Sequence, residues 1–182
     1  YNNAVLGASI LAQQAQQQSQ QNSQNLQIAK QLIDTAIADT DKVTTEHPND
    51  VVFWKTKVRI FYTLSQVNSQ YLPLALEAVK KAASLAPTDA DVSYNLGVLY
   101  GQNGDFQNAV ATLQNTIVLK RDYNQAYYAL GIFYHQLAID RKGKVINQAY
   151  NQKAIDEMKL LIKYFGPNQQ ASDAIKTWGG GK

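Results

Sequence analysis

Apolar residues recur at three- and four-residue steps along most of the chain, the spacing that gives a helix one buried face. Val5, Leu6, Ile10 and Leu11 form one such stripe, and Ile28, Leu32, Ile33, Ala36 and Ile37 a second. Trp54, Val58 and Phe61 mark a third helix, and Ala75, Val79, Ala82 and Ala83 a fourth. Phe106, Ala109, Leu113 and Ile117 continue the pattern, as do Ala154, Met158 and Leu161. Helix-stopping residues punctuate it: His47-Pro48, Pro87, Gly104-Asp105 and Gly166-Pro167. Pro73 suits the first turn of a helix, where its missing N–H is harmless. Asp140-Arg141-Lys142-Gly143-Lys144 reads as an inserted loop, and Asn22-Ser23 as a turn between two long helices. The pattern predicts an all-α chain.

An internal repeat organises these helices. Tyr94-Asn95-Leu96-Gly97-Val98-Leu99-Tyr100 aligns with Tyr128-Ala129-Leu130-Gly131-Ile132-Phe133-Tyr134, with Tyr, Leu, Gly and Tyr identical. The offset is about 34 residues, the period of the tetratricopeptide repeat. Leu96, Gly97 and Tyr100 share a helix face. A helix-interior Gly costs about 1 kcal/mol against Ala, tolerable where a partner helix must come close; small Ala109 is the expected neighbour of Gly97. The stretch from Ala90 to about Tyr123 thus resembles a tetratricopeptide repeat, with Arg121 where the family has a terminal proline. The resemblance implies a right-handed solenoid of about four helix–turn–helix repeats in one domain over residues 1–182: 1–48 degenerate, 49–87, 88–121 and 122–167, then a capping helix at 168–178. For residues 1–48 a Gln-rich disordered leader before a single helix is the alternative.

Composition narrows the chemistry. The 182 residues contain no cysteine, which removes disulfides, thiolate metal sites and cysteine nucleophiles. Residues 1–29 carry no charge, and ten glutamines lie between Gln13 and Gln31. Residues 1–50 hold two Lys against five acids, and residues 51–182 hold 15 Lys and Arg against nine acids, so the net +3 is −3 plus +6. That is too weak for a nucleic-acid-binding face. No apolar run approaches the roughly 20 residues that span a bilayer. The start at Tyr1 suggests a segment of a longer precursor. His47 and His135 are far apart, no Cys/His zinc spacing occurs, and Gly101 to Gly104 lack the Lys-Ser/Thr ending of a phosphate loop. Neither enzyme activity, nor a cofactor, nor a metal is expected.

Members of the tetratricopeptide family bind peptides or partner helices along a groove lined by the first helix of each repeat. Position by position, the resemblance places Lys55, Arg59, Tyr62 and Thr63 in that groove from one repeat, Tyr94, Asn95, Val98 and Gln102 from the next, and Tyr128, Ile132, His135 and Gln136 from the third. The tyrosines would be apolar anchors and Lys55 and Arg59 readers of an acidic group; packing between helices and a solvated basic face are the alternatives. Against the five-residue clamp that some members use on chaperone carboxylate tails, Lys55 and Asn95 match. Arg59, Gln125 and Ala129 do not, which argues against such a ligand. Residues 50–165, through phrases such as Val52–Leu64, Leu85–Ala90 and Leu119–Tyr123, are similar to the C-terminal tetratricopeptide region of bacterial O-antigen ligase/polymerase-type membrane proteins. That likeness implies a spacer or accessory domain outside the cytoplasm; a cytoplasmic location is the alternative. The expectation is a non-catalytic interaction module with a protein or peptide partner. The alternatives are a spacer without a ligand and self-association through the N-terminal helices.

Overall fold

A computed structural model describes residues 23–180, together with Ile10 and Gln13. The stripe at Val5–Leu11 and the first half of the expected degenerate repeat lie outside the described residues, apart from exposed Ile10. Eight α-helices are present among the described residues. They are α1 (Ser23–Glu46), α2 (Val51–Ser65), α3 (Leu72–Leu85), α4 (Ala90–Gln102), α5 (Phe106–Leu119), α6 (Asn124–Ala138), α7 (Gln148–Phe165) and α8 (Gln169–Trp178). The chain divides into two compact units between Ala86 and Pro87.

In the first unit, α1 faces α2 with a seam of small residues. Ala29, Ala36, Thr40 and Thr44 are buried, whereas Ile28, expected inward, is 42% exposed. Leu32, Ile33 and Ile37 are half-buried beside Ala36, so the expected stripe holds except at its start, where Ala29 and not Ile28 turns inward. The threonines survive burial because their hydroxyls donate to backbone carbonyls one turn earlier, Thr40 to Ala36 and Thr44 to Thr40. Lys57 of α2 ties the seam, 2.7 Å from Asp41 and over the Trp54 ring. Val58, Ile60, Phe61 and Leu64 of α2 are buried, as are Ala75, Leu76, Ala78, Val79 and Ala82 of the neighbouring α3. The long α2–α3 connection is used: it forms a 3-10 turn at Ser69–Tyr71 and stacks Tyr71 on Phe61. Pro73 sits in the first turn of α3.

In the second unit the repeat glycines mark close helix–helix approaches. A Cβ at Gly97 would lie 2.8 Å from Leu113 Cγ and 3.4 Å from the Ala109 carbonyl, so α4 lies directly on α5. A Cβ at Gly131 would lie 2.8 Å from Met158 Cε and 3.2 Å from the Ala154 carbonyl, so α6 meets α7 in the same way. Leu113, Leu130 and Met158 are fully buried, each contributing about 1.5–3 kcal/mol. Ser93, not anticipated as a core residue, is buried beside Thr116, whose hydroxyl donates to it at 2.9 Å. Side-chain caps start four of the unit's five helices: Asp89 accepts from Asp91 and Val92 N–H, Asp105 from Asn108, Asn147 from Tyr150 and Asn168 from Ala171. Gly166 ends α7 at φ +90°, a conformation a Cβ would strain. The Asp140–Lys144 insertion is an ordered hairpin turn. Ile139 pairs with Val145, and the Asp140 carboxylate accepts the Lys142 and Lys144 N–H groups.

Candidate functional site

A cleft of about 210 Å³ opens in the second unit. Tyr94 enters it from α4, and Asn124, Gln125 and Tyr128 from the first turns of α6. Leu161 of α7 is buried beneath, and Asn168 and Gln170 close it from the start of α8. The two tyrosines are half-buried and rest on rigid supports. Tyr94 stacks on Tyr123 at 4.9 Å and 28°. The Tyr123 hydroxyl is hydrogen-bonded to the Asp91 carboxylate; burial first, then Asp91, holds that phenol well above its ordinary pKa. Tyr128 packs against the cluster of Tyr127, Met158, Leu161 and Ala171. Asn168 spends its side-chain oxygen on the Ala171 N–H. Asn124, Gln125 and Gln170 are exposed at the rim.

Of the residues expected in a groove, Tyr94 and Tyr128 are brought together here. Asn95 and Gln102 are exposed on α4 and Val98 is half-buried, but none of the three lines the cleft. Ile132 is half-buried against the Tyr127–Met158 cluster, and Gln136 is exposed. His135 is built into the packing of the last helix: its Nδ1 lies 3.0 Å from Asn151 Oδ1, and its ring stacks on Trp178 at 4.3 Å. Asn151 completes the link by donating to the Trp178 carbonyl. Lys55 and Arg59 are exposed and Tyr62 and Thr63 half-buried on α2, in the first unit. Asn124, Asn168 and Gln170 were not anticipated. The signal available for Asn124 was its place one helical turn before Tyr128; for Asn168 and Gln170 it was only the Pro167 break before a new helix.

Two further features bear on chemistry. Glu157 on α7 sits partly buried against α6, and desolvation, then neighbouring Asp156, raises its pKa to about 7. The phenols of Tyr127 and Tyr134 are raised too, by burial and then by Glu157. Among the described residues no group of three His, Cys, Asp or Glu side chains could hold a metal ion, and no helix is long and apolar enough to cross a membrane. A wider hollow of about 590 Å³ is walled by the six consecutive residues Glu46–Val51; it is the open space over the α1–α2 turn. The cleft holds no nucleophile–base pair. Its lining offers aromatic faces, carboxamides and one leucine for binding.

No protein-family model matches the chain, and no curated protein does. Solved structures do. A crystal structure of MamA is 22% identical, with a TM-score of 0.66, covering 99% of this chain and 85% of that one. TTC0263, a thermophilic tetratricopeptide-repeat protein of Thermus thermophilus, is 15% identical with a TM-score of 0.59, covering 93% and 88%. The first tetratricopeptide-repeat domain of Spaghetti (RPAP3), bound to the HSP90 peptide SRMEEVD, is 15% identical with a TM-score of 0.59, covering 71% of this chain and 90% of that one. Likeness at these identities speaks for architecture alone, and it agrees with the paired helices and their glycine contacts: the chain has the tetratricopeptide-repeat fold.

Proposed function

We propose that this chain is a non-catalytic protein-interaction module that holds an extended peptide segment in the cleft of its second unit. The observation that carries this reading is the convergence of Tyr94, Tyr128 and four carboxamide side chains on one concave site. Tyrosine offers a large contact area at low entropic cost. A carboxamide carries both a donor and an acceptor, the same pair that a peptide group presents. The Spaghetti domain, bound to its HSP90 peptide, lends support by the use of the same fold. Lys55 and Arg59, exposed on α2, are proposed separately as readers of an acidic group on the first unit. The wider setting proposed from residues 50–165 is an accessory domain of a glycan-polymerising membrane protein; it adds no residue to the site.

The test is to select peptides from a displayed random library on the intact chain. Each winner is then titrated into the chain carrying Gln125→Ala and Tyr128→Ala. Loss of a central anchor costs about 2 kcal/mol, so binding should weaken by at least tenfold. Winners that bind the double variant as tightly as the original chain refute the assignment of the site.

A further inference from the structure

The cleft contains no Asp, Glu, Lys, Arg or His in its lining. We propose that it selects an uncharged stretch of peptide bearing one bulky residue, and rejects carboxylate-bearing segments; this rests on the reading that the cleft holds a peptide.

Size sets the first limit. About 210 Å³ falls below the roughly 300–1,000 Å³ of a site for a drug-sized ligand. The cleft therefore takes one side chain, between the rings of Tyr94 and Tyr128 and over Leu161. Polar complementarity sets the second. The carboxamides of Asn124, Gln125 and Gln170 can answer a peptide C=O with N–H and a peptide N–H with C=O. A carboxylate only accepts, so it uses their N–H groups alone and leaves their oxygens to water. Charge sets the third. The negative charges of Asp89 and Asp91 both act on Tyr123, the ring behind Tyr94. A ligand carboxylate would be desolvated near them with no cation in the lining to compensate. Lys120 lies over the Tyr123 ring at 5.4 Å and is not a lining residue. A ligand lysine finds no carboxylate in the lining to pair with.

The experiment uses the full ¹⁵N-labelled chain and three probes: acetyl-Gly-Gln-Tyr-Gln-Gly-amide and its counterparts with both Gln replaced by Glu or by Lys. The readout is the backbone amide shifts of Gln125, Tyr128 and Gln170. The neutral probe should move them with a Kd at least about tenfold below that of the acidic probe, a gap of about 1.4 kcal/mol. Its affinity should not change between low and physiological salt, since no ion pair forms. Gln125→Lys, at an exposed position, should strengthen the acidic probe by several-fold. An acidic probe within threefold of the neutral one, or a lysine probe that binds more tightly, overturns the selectivity while leaving peptide binding at the cleft intact. If no probe moves those three amides, the reading of the site falls with it.

Discussion

Replacing Gly101 by Ala is the sharpest test of the packing in the second unit. Gly101 is buried on α4, and a Cβ there would lie 2.5 Å from Phe133 Cε2 of α6 and closer still to Cζ and Cε1. Carbon atoms in contact prefer about 3.5–4.0 Å, so the ring must move by roughly 1–2 Å. It has little room. Phe133 stacks on Phe106 at 6.0 Å and packs on the cluster containing Leu113, Leu130 and Tyr134. Such overpacking costs about 1–3 kcal/mol. Against it, Ala is favoured over Gly inside a helix by about 1 kcal/mol. The net expectation is destabilisation by about 1 kcal/mol, opposite in sign to an ordinary helical Gly→Ala exchange. Phe133→Leu should relieve the clash, so the double variant should be more stable than the sum of the two single effects predicts, by about 1–2 kcal/mol. Trp178 belongs to the second unit and Trp54 to the first, so urea unfolding followed by Trp178 fluorescence in a Trp54→Phe background reports the right unit. A Gly101→Ala midpoint equal to or above that of the parent would refute the reasoning.

Two further outcomes follow from the second unit. Glu157 titrates near 7 when folded and nearer 4.5 when unfolded, so the folded state holds the proton more tightly. The stability it contributes is complete below about pH 4.5 and is lost as pH rises through about 7. After allowing for solvent screening, the loss is about 1–2 kcal/mol. Glu157→Gln should therefore be close to neutral at pH 4 and more stable than the parent at pH 8, as urea melts at the two pH values would show; an equal effect at both would contradict it. His135→Ala removes both the stack on Trp178 and the contact with Asn151. It should weaken the docking of α8 by about 1–2 kcal/mol, seen as faster hydrogen exchange at the amides of Ile175–Trp178; unchanged protection there would count against that role for His135.

Most helices were legible because their apolar residues repeat at helical spacing and their ends carry strong stops. Ala154, Met158 and Leu161 face inward as expected. The approach of Gly97 to Ala109 was legible from the size match of the two residues. Periodicity failed where it had to choose between neighbouring faces. On α1 it favoured the larger Ile28, but Ala29 is buried instead, together with threonines whose hydroxyls the backbone satisfies. The candidate site was half legible. Tyr94 and Tyr128 stand out at the repeat period, whereas Asn168 and Gln170 reach the cleft from the start of the last helix, with no pattern linking them to it.

By itself, then, the sequence determined the all-α class, the 34-residue period, the placement of most breaks and the absence of thiol chemistry. These follow from local spacing and composition, which need no knowledge of neighbours. Only the tertiary structure decided the fate of His135, Gly101 and Glu157. Stacking under Trp178, a phenylalanine ring over a missing Cβ, and a carboxyl drawn out of water all arise from residues on other helices. Their energies depend on distances that no spacing along one chain encodes.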